Sequence, residues 1–309
     1  MTALLILPLL VPFLLPALAG RALDRMAPNV ALWGITASAV ALAGCSLTAL
    51  GAFVLTGLLR LPFFAALGEL ARPLHTASDH YVLPLAALSV GGLAVCVWTG
   101  TRSVLRQTRA FRAARTEAGR RPAAGDLCVV DSPSPDAYAL PGRPHRIVVT
   151  TGMLRSLDGA EREALFAHER AHNTGGHHFF LAAVELAAHC HPALRRIRGV
   201  VRLAVERAAD EAAASAVGDR RLTARAIARA ALAGQGGGVE RPAFVAGATS
   251  GPVPRRVQAL LAAPGGRRRA GSGVAALLAA CAALSCVASA TGMIDFHHQV
   301  EVAQGEAER

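Results

Sequence analysis

The stretch "HERAHNTGGHH" (residues 168–178) carries the pattern from which the rest of the chain can be interpreted. Its first five residues fit HExxH, in which two histidines one helical turn apart project from the same face and can hold one metal ion. Glu169 follows the first histidine, where its carboxylate can take a proton from a metal-activated water molecule. His168, His172 and Glu169 therefore predict the centre of a zinc hydrolase site.

The helix that carries this motif has well-marked ends in the sequence. Asp158 is placed to cap its N-terminus, and Glu161 three residues later can close a capping box. Asn173, Gly175 and Gly176 form a stop signal. The sequence therefore predicts a single helix between these residues.

A third metal ligand is needed, and the sequence offers two candidates. Glu206 lies on a later, alanine-rich helical segment, with Asp210 one turn further on to orient a ligating histidine. His178 would instead complete the longer pattern HExxHxxGxxH, but such sites also use a methionine turn, and the only downstream methionine is Met293. We take Glu206 as the predicted ligand and His178 as the alternative.

The composition predicts a membrane protein. Hydrophobic residues make up 53% of the chain and charged residues only 17%, which is too apolar for an ordinary soluble enzyme. Four apolar runs are long enough to cross a bilayer, at residues 3–18, 31–55, 82–98 and 272–293. The first could be a cleaved signal peptide, but it lacks a basic leading segment, so we expect a retained span.

The arginines predict the orientation of these spans. The net charge is +11, and the chain has no lysine. Basic residues follow the third run and precede the fourth: Arg102, Arg106, Arg109, Arg112, Arg115, Arg120 and Arg121, then Arg267, Arg268 and Arg269. Because positive loops remain in the cytoplasm, residues 101–271 are predicted to be cytoplasmic and residues 294–309 to form a short extracytoplasmic tail. Direct nucleic-acid binding is not expected, since the basic run adjoins a span and lacks interleaved aromatic residues.

The predicted fold class is therefore a mainly α, polytopic membrane protein with an α+β metalloprotease domain, residues 101–271, between its third and fourth spans. Short strands are expected near the start of that domain, at residues 127–130, 137–140 and 147–150, where β-branched residues alternate with proline and glycine. The chain after Leu157 has a helical pattern.

Four blocks in this domain resemble a known family. They are "DAYALPGRPHRIVVTTGML", "LDGAEREALFAHERAH", "ERAADEAA" and "PRRVQALL", and their order is similar to that in the membrane zinc metallopeptidases of the β-lactam sensor and methicillin-resistance antirepressor group, relatives of the HtpX-like proteases. The resemblance implies a zincin-like (gluzincin) domain that binds Zn²⁺ through His168, His172 and Glu206. It also implies two catalytic positions, Glu169 as acid and base and Asp210 in support, and a substrate-pairing strand at "AYALPG".

The resemblance further implies partners. They are the lipid bilayer and a protein or peptide substrate, of which a winged-helix transcriptional repressor is the candidate. Membrane-protein quality control of the HtpX type and a non-catalytic zinc-binding signalling protein are the alternatives. The family's sensor members carry a penicillin-binding domain after the last span, whereas this sequence ends about sixteen residues after Met293. We therefore do not expect covalent sensing of a β-lactam, and a signal would enter through the loop at residues 62–80, the spans or a partner.

Overall fold

The computed structural model describes residues 2–61, 63–64, 79–121, 123–234, 252–262 and 268–304. Most of this part of the chain is helical. The predicted outer loop at residues 62–80 lies almost entirely outside the described residues, as does Arg267.

Four helical segments are long and apolar enough to cross a membrane. The first, second, third and fourth spans are Leu4–Arg25, Pro28–Leu58, Tyr81–Arg120 and Gly271–Val302. Each overlaps a predicted apolar run and extends beyond it, which is compatible with a membrane protein. The first span comprises helices Thr2–Leu10 and Leu15–Arg25 joined by a 3-10 turn at Val11–Leu14, and the other three lie in helices Pro28–Leu58, Asp79–Arg120 and Arg268–Gln304.

The third span continues without a break into the basic segment. Its helix, Asp79–Arg120, has 42 residues, which corresponds to about 63 Å at 1.5 Å per residue. The apolar core of a bilayer is about 30 Å thick, so a helix of this length that crossed a bilayer would project beyond its core by about half. No proline follows Pro84 in the helix, and the predicted boundary at residue 100 therefore falls inside one continuous element.

Prolines break the hydrogen-bond ladder of the first span, and a side chain from the second span compensates. Pro12 has no N–H, so the carbonyl of Pro8, four residues earlier, lacks its usual helical donor. The Ser46 hydroxyl lies 2.9 Å from that carbonyl and 2.8 Å from the Leu42 carbonyl of its own helix, so its one proton is shared between the two acceptors. Such outside donors are what makes proline tolerable in a membrane helix.

A small mixed sheet precedes the motif. Its strands are β1 (Ala123–Ala124), β2 (Leu127–Val130), β3 (Ala137–Leu140) and β4 (Arg146–Thr150), in the order β1-β2-β4-β3. Strands β2 and β4 are parallel, and the other neighbours are antiparallel. The three predicted strands are confirmed, with β4 beginning one residue earlier than expected.

The motif lies on Gly159–Thr174, the motif helix. The Asp158 carboxylate accepts from the Glu161 N–H at 2.8 Å, and the Glu161 carboxylate accepts from the Asp158 N–H at 3.1 Å. The predicted capping box is thus confirmed, and the helix ends at Thr174, just before the glycine pair that we identified as its stop signal.

Six further segments complete the helical part of the described domain. The apolar helix is His177–Cys190, the carboxylate helix is Arg198–Val217, and the arginine helix is Val253–Leu261; the others are the short helix Thr151–Ser156, the 3-10 turn Pro192–Ile197 and the helix Arg220–Ala233.

One hydrophobic core joins the spans to the helices that follow the motif. It contains buried residues of the first, second and fourth spans together with residues of the apolar and carboxylate helices, including Val184, Val201 and Val205. At its edge, the rings of Trp33 and Phe180 meet edge to face with centroids 4.8 Å apart. The two helices after the motif therefore pack directly on the membrane spans.

Two polar contacts reinforce this packing, and both end on carbonyls of the first span. His191, which follows the apolar helix, donates from Nε2 to the Leu9 carbonyl at 3.1 Å. Arg207 of the carboxylate helix donates from Nη1 to the Leu23 carbonyl at 2.6 Å. The first span is thus connected to the apolar helix and to the carboxylate helix.

We expect Ser46→Ala to lower the free energy of unfolding by about 1 kcal/mol, because it removes the donor to the Pro8 carbonyl in an apolar setting. Denaturant titration of the detergent-solubilised protein measures this change. Thr291→Ala is the matched control, since that exposed hydroxyl bonds only to Val287 of its own helix. Equal stability of the two variants would contradict the interpretation of Ser46.

Candidate metal centre

Two helices bring three potential metal ligands together. His168 and His172 come from one face of the motif helix, and Glu206 comes from the middle of the carboxylate helix. The three side chains form a group that could hold a metal ion, and all three are buried. The histidines are four positions apart, so the helical period alone places one imidazole above the other.

The distances within this group fit a tetrahedral zinc site. The Nε2 atoms of His168 and His172 are 3.1 Å apart. Glu206 Oε2 lies 3.4 Å from the first and 3.9 Å from the second. Tetrahedral ligands at 2.0–2.1 Å from zinc are separated by about 3.3 Å. The residues therefore fit the ion that the sequence predicts, and two histidines with one carboxylate leave a fourth position for water.

Asp210 lies where the sequence predicts, one turn after Glu206. Its Oδ1 is 3.0 Å from Nδ1 of His168. A carboxylate at Nδ1 favours the tautomer that has its proton there, which leaves Nε2 with a lone pair for the metal. Burial alone would lower the pKa of His168, but Asp210 and Glu206 outweigh it and raise that pKa to about 9. The surroundings of this ring thus favour a positive charge, either a proton or a metal ion.

His177 supports the second histidine in a similar way. Its Nδ1 lies 2.9 Å from Nδ1 of His172, and its side chain is buried. With the Nε2 atom of His172 directed at the metal, its Nδ1–H donates to His177, which accepts as a neutral ring. Burial and the neighbouring His168 lower the pKa of His177 to about 4, so this ring is neutral at physiological pH.

The glycine pair makes this return of the chain feasible. A Cβ on Gly175 would lie 2.6 Å from Nε2 of His177 and 2.9 Å from the Ala171 carbonyl, so a side chain there would clash. Gly176 has a φ of 61°, a conformation that glycine adopts without strain. The two glycines therefore allow the apolar helix to begin at His177 with the His177 ring in contact with the His172 ring.

Arg256 of the arginine helix contacts both carboxylates of the carboxylate helix, Glu206 and Asp210. It is 0% exposed. Nε and Nη2 donate to the two carboxylate oxygens of Asp210 at 2.8 and 2.7 Å, and Nη1 lies 3.1 Å from Glu206 Oε2. Burial raises the pKa of Asp210, but Arg256 outweighs it and lowers that pKa to about 2. The carboxylate thus stays ionised without access to water.

Glu169 is buried beside this cluster. Burial lowers the pKa of Arg256, but Glu206, Asp210 and then Glu169 outweigh it and raise that pKa. With the carboxylates of Glu169, Glu206 and Asp210 counted as ionised and His168 as neutral, which is the form that binds a metal, the cluster with Arg256 has a formal charge of −2, and this charge matches a divalent cation. A fixed charge of this size in a buried region favours metal binding.

His178, the alternative third ligand, lies away from this group. Its ring stands against that of Phe179 with centroids 4.0 Å apart. Burial and the nearby His145 lower its pKa. Of the two adjacent histidines, His177 is the one that contacts a predicted metal ligand, His172.

Sequence reasoning missed two residues of the site, although each had a signal. His177 follows His172 by five residues across two glycines, a spacing that permits a sharp return. Arg256 lies in the quoted block "PRRVQALL", one turn before Leu260, on the face that the helix buries. An arginine on the buried face of a short amphipathic helix indicates a buried acidic partner.

We expect Glu206→Ala to weaken zinc binding by more than about 100-fold, because removing a ligand costs more than removing a supporting residue. His178→Ala should bind zinc as the wild type does. Competition with a chromophoric chelator measures both affinities in the purified protein. Loss of zinc in the His178 variant with retention in the Glu206 variant would reverse this assignment.

Comparison with known families agrees with this chemistry. Residues 104–195 match the model of Peptidase family M48. The matched segment is less than a third of the chain. It includes His168, Glu169 and His172 and ends before Glu206 and Asp210. No curated protein and no solved structure matches the chain. Peptidases of this family are zinc-dependent. The matched residues and the buried group of two histidines and a glutamate therefore support a metallopeptidase of the M48 family.

Proposed function

We propose that the protein is a membrane-embedded zinc metalloendopeptidase that hydrolyses peptide bonds at the cytoplasmic face of the membrane. The observation that carries the proposal is the buried group of His168, His172 and Glu206 with Glu169 next to it on the same helix. This set has two imidazoles, one carboxylate ligand and a separate carboxylate for proton transfer, which are the parts that zinc-dependent hydrolysis needs.

Each residue then has a distinct task. When bound, zinc polarises the scissile carbonyl and lowers the pKa of a water molecule. His168, His172 and Glu206 hold the ion, while Asp210 and His177 fix the orientation of the two rings. Glu169 takes the proton of the attacking water and delivers it to the nitrogen of the leaving peptide.

The position of strand β3 favours a substrate that binds as an extended peptide. The strand forms the edge of the described sheet, and its residue Ala137 belongs to the same buried hydrophobic cluster as Leu165 of the motif helix. Thr150 N–H donates to the Asp136 carbonyl at 2.9 Å. Successive residues of an antiparallel strand direct their N–H and C=O groups to opposite sides of the strand. Ala137 and Ala139 therefore direct these groups away from β4, to the open edge of the sheet. A peptide chain can pair with them at that edge.

The exposed arginines of the third helix support the cytoplasmic placement, and Arg102, Arg106 and Arg109 are the first of them after the apolar run. The resemblance of the domain to the antirepressor group suggests a cytoplasmic winged-helix repressor as the substrate. The core shared by the apolar helix, the carboxylate helix and the spans favours a second candidate, cleavage of membrane proteins in quality control, because it keeps the site close to the bilayer.

We expect Glu169→Gln to retain zinc and to lose peptide hydrolysis by a factor of about 10² to 10⁴, the range attributed to general acid–base catalysis. Glu163→Gln is the control, since Glu163 lies exposed on the same helix. The measurement is a comparison of proteins that accumulate uncut in cells that carry each variant. A repressor or membrane proteins among them would identify the substrate class.

Unchanged proteolysis in Glu169→Gln would remove the proposed mechanism. A wild-type protein that binds zinc but cuts nothing, itself included, would instead favour a non-catalytic signalling role.

We expect Ala139→Pro to lower kcat/KM by about tenfold, because it deletes one outward N–H and a hydrogen bond contributes about 1 kcal/mol. Ala139→Ser keeps the N–H with a similar volume and should cleave normally. Both variants should be checked by thermal unfolding for an intact sheet. Equal cleavage by the two would exclude substrate pairing along β3.

A further inference from the structure

The arginine helix is held in place by contacts outside the metal centre. Leu260 is buried in a cluster with Ala214 and Ala224. The Arg220 guanidinium donates to the last carbonyls of the helix, those of Leu260 at 2.9 Å and Ala259 at 3.2 Å. These contacts hold the arginine helix in place without involving the metal ligands. Besides Leu260, the buried side chain of this helix is Arg256, which therefore reaches the site from a helix that is already anchored.

Arg256 contacts the oxygen that faces the metal position. Its Nη1 is 3.1 Å from Glu206 Oε2, and this oxygen is the one that lies 3.4 Å from Nε2 of His168 and 3.9 Å from Nε2 of His172. Meanwhile Nε and Nη2 of the same guanidinium hold Asp210. One planar group thus sets the positions of both carboxylates.

We propose that Arg256 is a positioning residue that holds Glu206 as a one-oxygen zinc ligand, with Oε2 toward the ion. The terminal torsion of a glutamate is soft, so an unsupported carboxylate could turn and bind through both oxygens. With Oε2 fixed by Arg256, Glu206 takes one coordination position, and the fourth stays available for water. This inference rests on the proposed zinc peptidase function.

The guanidinium also acts on the histidines through Asp210. Asp210 Oδ1 accepts from Arg256 at 2.7 Å and lies 3.0 Å from Nδ1 of His168. Displacement of Arg256 would therefore disturb one histidine and the glutamate together. A lysine carries the same charge but lacks the planar fork that reaches two carboxylates at once, so charge alone would not reproduce this arrangement.

The experiment compares Arg256→Lys and Arg256→Met with Arg255→Met in the full-length, detergent-purified protein. Arg255 is the exposed neighbour on the same helix. We expect both Arg256 variants to bind zinc about 10- to 100-fold more weakly, the usual cost of losing a residue that supports a ligand, while the Arg255 variant binds normally. The visible absorption of the Co²⁺-substituted protein should change in Arg256→Lys, because it reports ligand geometry.

Zinc affinity of Arg256→Lys within twofold of the wild type, with a superimposable cobalt spectrum, would overturn the proposal. Should the Arg256 variants not fold, X-ray absorption of the zinc-loaded wild type decides: one carboxylate oxygen beside two imidazole nitrogens supports it, and two oxygens from one carboxylate contradict it. Failure of the peptidase function has a different signature, namely a wild type that binds zinc in this geometry and hydrolyses no peptide.

Discussion

The charge balance between buried carboxylates and Arg256 constrains the rest of the metal centre. A carboxylate removed from water remains ionised only beside a cation or several hydrogen-bond donors. Glu206 and Asp210 are both buried, and one guanidinium contacts both. Because the participants come from the motif, carboxylate and arginine helices, these three helices can pack in the observed way only if the charges meet. The pairing of the buried charges and the packing of the three helices therefore require the same relative placement of these helices.

The same carboxylate helix connects the site to the membrane part. Val205 and Arg207 flank Glu206 in sequence, and both are anchored in the region of the spans: Val205 in the shared hydrophobic core and Arg207 on the Leu23 carbonyl. A shift of the first span would act on these two residues directly and on the ligand between them. The spans are thus part of the scaffold that positions the candidate metal ligands.

Local features of the chain could be predicted from the sequence because each depends on residues a few positions apart. The capping box of Asp158 and Glu161, the stop at the glycine pair and the three strands follow from such short-range rules. The apolar runs that became the spans depend only on length and composition. The change from apolar to basic residues near residue 100 does not end the third helix, because helix formation responds to backbone propensity and not to polarity. Arg256 could not be assigned, since its partners lie 46 and 50 positions away and only the tertiary fold brings them to it.

The geometry of consecutive helical residues explains why Glu206, and not His178, is grouped with His168 and His172 in the structure. Neighbouring residues on an α-helix point about 100° apart, so His177 and His178 cannot both face His172. The left-handed conformation of Gly176 starts the apolar helix with His177 on that side, 2.9 Å from Nδ1 of His172. This contact occupies the outer nitrogen of the ring and leaves Nε2 directed toward His168 and Glu206. A histidine one position later is turned toward Phe179, and the space beside the Nε2 atoms is filled by the carboxylate from the later helix.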